Sequence, residues 1–325
     1  MLIALALAAP ILGQVSAAPQ PPSPTPPPSV VAPAARAGGT APVEQAPRRV
    51  PGYLAAGATP DAWAVLPPPP TPGSREPAEL VDRRAFEVTQ KLQGTPRWTL
   101  ATSDADESAA AVLAGYDCIF GLDLNARTAP ALLKLLTRVR SDAGPATTPP
   151  KERFQHWRPF VSYGGEICTP GEKAKADTAK SWNYPSGHTH VGWSFALVLA
   201  ELAPDLSTPI FQRGRAYGES RVVCGVHTVS AIEGGRLNAS MTIAALHANA
   251  GFKADLEAAR IELAALRSAG GGAPPASQQC AAVTEAMSRT PWLAAKVDSP
   301  RVPAPTQVPK PLPKLRWDRI SVPKP

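Results

Sequence analysis

The segment that decides the fold is Asn183–Glu201, with the sequence NYPSGHTHVGWSFALVLAE. Near its start are Pro185 and Ser186, and a serine shortly before an apolar run is a typical N-cap of an α-helix. Apolar side chains then recur every three or four residues, the spacing of one helix face. They are Val191, Phe195, Val198, Leu199 and Leu202. The sequence therefore predicts a helix that begins at Ser186 and buries one face in a core.

Other segments repeat this helical spacing of apolar side chains, and convincing strand alternation is absent from the sequence. The segments are Val81, Ala85, Val88 and Leu92; Ala129, Leu132, Leu133, Leu136 and Val139; and Leu256, Ala259, Leu263 and Leu266. Ser103 and Asp104, ahead of Glu107, predict a further helix start. The fold class is therefore all-α, and we expect a single helical-bundle domain.

The 40 prolines among the 325 residues are concentrated at the two ends of the chain. Proline-rich runs favour extended conformations and bury too little apolar surface to fold. We therefore expect a signal peptide at residues 1–17, a Pro/Ala-rich linker at 18–51, the folded domain at 52–290 and a basic Pro-rich tail at 291–325.

Residues 1–17 are almost wholly apolar and end in Val15-Ser16-Ala17, which resembles a signal-peptide cleavage site. The alternative is a lone membrane anchor, but the run is short for a span and prolines follow it at once. Elsewhere in the sequence we find no stretch that could cross a membrane. We expect an exported protein, periplasmic or secreted, without stable membrane insertion.

Most of the net charge of +7 lies in the tail. Residues 299–325 carry six Lys and Arg against one Asp, a balance of +5, which leaves +2 for the rest of the chain. Nucleic-acid binding requires basic residues clustered on a folded face. The charge pattern therefore predicts no nucleic-acid partner.

The four cysteines are Cys118, Cys168, Cys224 and Cys280. An even number in an exported chain indicates two disulfides, for which three pairings exist. Our working hypothesis pairs Cys118 with Cys280 and Cys168 with Cys224. The alternative is that some of them are buried thiols.

Three cationic residues lie in two short motifs whose side chains could bind a phosphate group. Lys151 precedes Arg158-Pro159 by seven residues, and Arg221 precedes His227 by six. Guanidinium forks suit paired phosphate oxygens, and an ammonium adds a compact charge. A seven-residue separation is about two helical turns, so Lys151 and Arg158 are expected on one helix face, with the helix ending at Pro159. Each cation alone would be a solvated surface residue, but together they predict an anion site.

Ser186 and Gly187 are expected at the start of the helix that carries the apolar stripe. A helix N-terminus presents unpaired N–H groups to a phosphate, and Gly187 lets the backbone approach it closely. Ser186 would donate its hydroxyl or serve only as the cap. It is not expected to be a nucleophile, because its surroundings do not form the Gly-x-Ser-x-Gly elbow.

The combined pattern resembles the class A bacterial non-specific acid phosphatases, which belong with the type 2 phosphatidic acid phosphatases and vanadium haloperoxidases. The resemblance rests on Lys151–Phe160 (KERFQHWRPF), Asn183–Glu201, Gly218–His227 (GESRVVCGVH) and Gly94–Asp106 (GTPRWTLATSDAD), and it covers roughly residues 52–270. It implies the same all-α fold and phosphomonoester substrates, with neither a metal nor a cofactor. The sequence leaves the oligomeric state open, and because class A relatives are commonly homo-oligomeric, the resemblance allows a homo-oligomer.

The resemblance also implies the roles of two histidines. His227 would attack phosphorus to form a phosphohistidine, and His188 would protonate the leaving alkoxide and then assist water. Lys151, Arg158, Ser186, Gly187 and Arg221 would bind the phosphate. His156, His190 and His247 are expected to have surface or packing roles.

Ala231 departs from the family pattern, which places there an aspartate that orients the nucleophilic histidine. Glu233 lies about 200° further around a helix and faces elsewhere; Thr228 and Val229 replace the usual Trp and Gln. The sequence therefore leaves three readings. The favoured one is a phosphatase with slow turnover, and the second is a phosphate-binding protein without effective catalysis. A vanadate-dependent peroxidase is the third, disfavoured by the chain length and the class A-like segments.

Overall fold

The computed structural model describes residues 50–173, 181–270 and 277–293. The expected signal peptide, and most of the expected linker and tail, lie outside these residues. The helices in chain order are α1 Ala62–Val65, α2 Pro77–Gln90, α3 Pro96–Ser103, α4 Ala109–Ala114, α5 Asp117–Phe120, α6 Pro130–Phe154, α7 Pro159–Ser162, α8 Gly187–Leu202, α9 Ser207–Val223, α10 Val229–Leu246, α11 Ala250–Ser268 and α12 Ser277–Ser288. The described residues contain no strand, and the all-α prediction is confirmed.

Side chains of Ser, Thr and Asn start several of these helices, as the sequence rules predict. Ser186 accepts a hydrogen bond from the N–H of Thr189 and so caps α8, which confirms the predicted helix start. The start predicted at Ser103 and Asp104 is wrong, because α3 ends at Ser103. The next helix begins after Ser108, and the Asp104 carboxylate instead forms a buried ion pair with Arg213.

Helix α8 lies at the centre of the bundle, where it packs against α6, α9 and α10. Its predicted stripe is in the main apolar core, together with the stripes of α6 and α11. In α2 the prediction holds for Ala85, which is fully buried, but Val81 is 48% exposed. The central position of α8 matters because its N-terminus carries the Pro185-Ser186-Gly187-His188 motif.

Both disulfides form with the hypothesised pairing. Cys118 is bonded to Cys280, and Cys168 is bonded to Cys224. The first joins α5 to α12, and the second ties the loop before residue 170 to the C-terminus of α9. Cys224 stands between Arg221 and His227, so the second disulfide constrains the segment that carries both.

Among the described residues, no helix combines the length and the apolar character that crossing a membrane requires.

Candidate active site

The predicted site residues meet where the C-terminal ends of α6 and α9 lie beside the N-terminal ends of α8 and α10. The N–H of Ser186 donates to the carbonyl of Ala231 at 2.9 Å, which joins the start of α8 to the first turn of α10. A Cβ atom on Gly187 would lie only 3.8 Å from the Lys151 Nζ atom. The end of α6 therefore reaches the start of α8.

Lys151 and Arg158 come together, although not on one helix as the spacing predicts. Helix α6 ends at Phe154, because Gln155 adopts a left-handed conformation with φ of 49°. Arg158 has an extended conformation as the N-cap of α7, and Pro159 occupies the first position of that helix. The prediction of a shared helix face is therefore wrong, but the turn between the helices brings the Arg158 guanidinium back toward the site.

Arg158 and Asn183 hold opposite sides of the His227 ring. The Nη1 atom of Arg158 lies 3.0 Å from His227 Nε2. On the other side, His227 Nδ1 lies 2.8 Å from the Asn183 carbonyl oxygen and 3.1 Å from Asn183 Oδ1. A guanidinium can only donate, so Nε2 accepts and Nδ1 carries the proton. The Nε2 lone pair therefore faces the cations.

Ala231, where the resemblance predicts an aspartate, is fully buried in a small apolar cluster. Its neighbours in that cluster include Leu66, Phe154 and Tyr184. Glu233 does not replace the missing carboxylate, because it lies on an exposed face of α10 and pairs with Arg236. The acceptors of the His227 proton thus come from Asn183, which the sequence did not identify.

Arg221 is the most buried of the three cations, with no exposed surface. Its Nη2 atom donates to Glu172 Oε1 at 2.9 Å, while its Nε and Nη1 atoms have no hydrogen-bond partner among the described residues. The other oxygen of Glu172 lies 3.9 Å from Arg158 Nη1. A carboxylate therefore bridges the two guanidinium groups, and donors of Arg221 remain free for a larger anion.

His188 is held at the start of α8 by two groups that precede α4. Its Nε2 atom lies 3.0 Å from the carbonyl oxygen of Ala105, which can only accept, so Nε2 carries a proton. Its Nδ1 atom lies 3.5 Å from Glu107 Oε2, and Glu107 also pairs with Arg140 at 3.0 Å. A second proton on the ring would therefore have a carboxylate partner.

The electrostatics of the site show how closely the cations converge on both histidines. Burial, and then the positive charges of Arg158, Lys151 and Arg221, hold the pKa of His227 well below its ordinary value. Burial and Arg221 do the same for the pKa of His188. Both shifts favour the neutral imidazole in the free site, which suits a histidine nucleophile.

Lys151 is the cation most affected by this environment. Burial, together with the neighbouring charges of Arg158 and Arg221, lowers its pKa to about 7. Burial also lowers the pKa of Arg158, to about 10, so Arg158 stays charged. The total positive charge of the free site thus depends on pH near neutrality, through Lys151.

The other three histidines lie outside the cluster of cations. His247 is partly exposed, pairs with Glu201 and packs edge-on against Phe252. His190 is fully buried, and neither ring nitrogen has a hydrogen-bond partner in the described part of the chain. His156 is buried and bonds to Asn183. No group of three or more His, Cys, Asp and Glu side chains suited to a metal is found among the described residues.

The structure thus adds Asn183, Glu172 and Glu107 to the residues that the sequence identified. In the sequence, Glu107 is part of a helix-start pattern only, and nothing marks it as a site residue. Asn183 directly precedes the Tyr184-Pro185 pair, and Glu172 lies within a polar segment without a motif. Asn183 contacts His227, which is 44 positions away, and Glu172 contacts Arg221, which is 49 positions away. Contacts over such separations leave no spacing pattern in the sequence.

Comparisons with known proteins place these residues in a family context. The sequence model of the PAP2 superfamily matches residues 131–253, a range that contains every predicted site residue. The chain is 44% identical over 207 residues to an acid phosphatase of Zymomonas mobilis, a match that covers 62% of this chain and 75% of the relative. It is 39% identical over 208 residues to a non-specific acid phosphatase of Providencia stuartii, covering 64% and 82% of the two chains. A non-specific acid phosphatase of Salmonella typhimurium is 33% identical over 196 residues, with coverage of 60% and 78%.

Proposed function

Because the chain belongs to the class A-like acid phosphatases of the PAP2 superfamily, we propose that it hydrolyses small phosphomonoesters through a phosphohistidine at His227. The observation that carries the proposal is the polarised His227 ring. Its Nε2 lone pair faces Arg158, Lys151 and Arg221, and its Nδ1 proton is bound on the far side.

Substrate binding would use the groups that are unpaired or weakly paired in the free site. The phosphate dianion would take the free donors of Arg221 and displace the Glu172 carboxylate from it. Arg158, Lys151 and the N-terminal N–H groups of α8 would bind the remaining oxygens. Arg158 Nη1 would turn from His227 Nε2 to a phosphate oxygen, which frees the attacking lone pair.

In the first chemical step, the Nε2 lone pair of His227 would form a bond to phosphorus as the bond from phosphorus to the ester oxygen breaks. That electron pair leaves with the alkoxide, which takes the Nδ1 proton of the His188 imidazolium in place of Glu107, while Nε2 keeps its proton on the Ala105 carbonyl. The products are a free alcohol, a neutral His188 and a phosphorylated His227 ring that keeps its Nδ1 proton. The oxygens of Asn183 would stabilise this positively charged ring.

In the second step, water would attack phosphorus while His188 accepts one of its protons. The bond from phosphorus to Nε2 breaks, its electron pair returns to His227, and inorganic phosphate leaves. His188 is again protonated, so the cycle balances as ester plus water giving alcohol plus phosphate. The bound dianion offsets the charges that lower the pKa of His188, and Glu107 offers the imidazolium a partner.

Export belongs to the proposal as well. The apolar segment at residues 1–17 supports a secretory leader, and two disulfides are typical of proteins that fold in an oxidising compartment. We propose the periplasm or the exterior of the cell as the location.

A phosphate-binding protein with little turnover is the second candidate, and the alanine at position 231 is the observation that favours it. An assay of p-nitrophenyl phosphate hydrolysis between about pH 5 and 7, around the ordinary pKa of histidine, separates the two. We expect measurable turnover that His227→Ala abolishes, that His247→Ala leaves unchanged and that chelators do not affect. Wild-type protein that binds phosphate or vanadate without hydrolysing the ester would support the second candidate, and activity retained by His227→Ala would refute the proposed nucleophile.

A further inference from the structure

We propose that Asn183 is the positioning residue of His227 and takes the place of the carboxylate that position 231 lacks. We propose further that its amide is anchored through Thr228 and Ser230 to the buried carboxylate of Asp82. The inference rests on the proposed function, in which His227 is the nucleophile.

The neighbours of His227 determine its tautomer. The guanidinium of Arg158 donates to Nε2 at 3.0 Å, so the ring proton must be on Nδ1. The two oxygens of Asn183 lie 2.8 and 3.1 Å from Nδ1. They therefore accept this proton together, and the ring is held with Nε2 toward the cations.

Two independent partners fix the orientation of the Asn183 amide. Its Nδ2 atom lies 2.9 Å from His156 Nδ1, and His156 Nε2 lies 3.0 Å from the Pro70 carbonyl oxygen. A carbonyl only accepts, so His156 is protonated on Nε2 and accepts from Asn183 through Nδ1. The N–H of Thr228 donates to Asn183 Oδ1 at 3.2 Å. The amide oxygen must therefore face His227 and the amide nitrogen must face away.

A chain of hydrogen bonds behind Asn183 anchors its amide to Asp82. Asn183 Nδ2 donates to Thr228 Oγ1 at 3.0 Å, and Thr228 Oγ1 lies 2.9 Å from Ser230 Oγ. Ser230 Oγ donates to Asp82 Oδ2 at 2.5 Å, and the N–H of Ser230 donates to Asp82 Oδ1 at 2.8 Å. Thr228 Oγ1 already accepts from Asn183 and from the N–H of Ala231, so its proton is directed to Ser230. The side-chain donors of Asn183, Thr228 and Ser230 then all point toward the carboxylate.

Burial shields most of this chain of hydrogen bonds from competing water, although Ser230 is only half-buried. Asn183 is 0% exposed, Asp82 is 1% exposed and Thr228 is 2% exposed. The Asp82 carboxylate is thus separated from His227 by Ser230, Thr228 and Asn183. In the family pattern, the aspartate at position 231 would contact the ring directly. Neutral oxygens hold the Nδ1 proton while adding little attraction for a second proton on Nε2. His227 therefore stays neutral among Arg158, Lys151, Arg221 and His188.

The test compares Asn183→Asp with Asn183→Leu, and uses Asn125→Asp as a matched control in the loop before α6. A carboxylate at position 183 would favour the protonated imidazole, and only the neutral ring attacks phosphorus. We therefore expect Asn183→Asp to move the acidic limb of the profile of kcat/KM against pH to higher pH. Asn183→Leu removes one of the two acceptors and leaves an unpaired Thr228 N–H, so kcat should fall about tenfold to a hundredfold with KM changed by less than about threefold. Asn125→Asp should leave the profile unchanged.

A spectroscopic readout makes the result independent of activity. In protein labelled with 15N-histidine, wild-type His227 should show the tautomer protonated on Nδ1, and Asn183→Leu should weaken that preference while thermal melting shows that the variant is folded. A profile of Asn183→Asp that superimposes on wild type, or a His227 tautomer unchanged in folded Asn183→Leu, would overturn the inference. Failure of the proposed function is distinguishable, because a wild-type protein without phosphatase activity would still give the tautomer measurement.

Discussion

Glu172 lies against Arg221 with 2.9 Å between Oε1 and Nη2, so a carboxylate of the same chain occupies one side of the proposed anion site. A phosphate oxygen that binds Arg221 must compete with this contact. Arg221 is fully buried, whereas the Glu172 side chain is 27% exposed, which leaves the carboxylate free to move aside.

We predict that Glu172→Gln binds phosphate more tightly than wild type. Removing a partly exposed competing charge should lower the inhibition constant of inorganic phosphate about two- to fivefold. Glu257→Gln, at a surface ion pair with Arg260, controls for the change in net charge. An inhibition constant that stays the same or rises would show that Glu172 does not compete with phosphate.

The pH dependence of phosphate binding should follow Lys151. Its pKa is about 7 in the free site because of burial and the charges of Arg158 and Arg221. A bound phosphate favours the protonated amine, so binding above about pH 7 takes up a proton. The dissociation constant of phosphate should therefore rise by up to about tenfold per pH unit above neutrality, measured by calorimetry in buffers of different ionisation enthalpy.

Lys151→Arg should remove this dependence, because a guanidinium keeps its charge throughout the range. Lys253→Arg, on an exposed position of α11, should behave as wild type. If the wild-type dissociation constant is flat between pH 7 and 9, or if Lys151→Arg keeps the wild-type slope, Lys151 is not the titrating cation.

We predict that Ala231→Asp, which introduces the aspartate expected from the resemblance, does not improve the enzyme. The Nδ1 proton of His227 already has two acceptors, and the Ala231 side chain lies in an apolar cluster with Tyr184 and Phe154. A carboxylate there should cost about 1–3 kcal/mol of stability. We expect a lower melting temperature and a kcat within about threefold of wild type, since the lost orienter is already replaced.

Ala231→Asn serves as the uncharged comparison for this variant. A gain of tenfold or more in turnover from Ala231→Asp, without loss of stability, would mean that the site lacks an effective orienter as it stands. That outcome would favour the phosphate-binding candidate over the phosphatase.

The two disulfides should differ in their effect on the site. Cys168–Cys224 ties down the segment between Arg221 and His227, whereas Cys118–Cys280 joins α5 to α12. Replacing either pair by alanine should cost about 2–4 kcal/mol. Only the loss of Cys168–Cys224 should also lower kcat. The comparison is made at a temperature at which both variants are still folded. Equal kcat values in the two double variants would contradict this assignment.

The sequence predicted those features of the site that depend on local patterns. The cap at Ser186, the stripe of α8 and the paired cations follow from helix chemistry and from motif spacing, and the structure brings them together. The spacing failed at Arg158, because a single left-handed residue, Gln155, ends α6 before the predicted position.

Asn183 and Asp82 could not be predicted in the same way. Asp82 contacts Ser230 across 148 residues, and the contact depends on how α2 packs near the start of α10. Neither residue carries a motif of its own. The resemblance predicts an aspartate at position 231, where the sequence has alanine, but only the packed structure shows which groups accept the Nδ1 proton of His227.

The proposed mechanism turns over a phosphomonoester through a covalent intermediate at His227 although position 231 is alanine. Its most direct test is to mix the protein with a 32P-labelled phosphomonoester, stop the reaction in alkali within milliseconds and map the labelled peptide. We predict a label on the peptide that contains His227, stable to alkali, lost in acid and absent from His227→Ala. A label on Ser186 or His188, or turnover without any labelled peptide, would contradict the account.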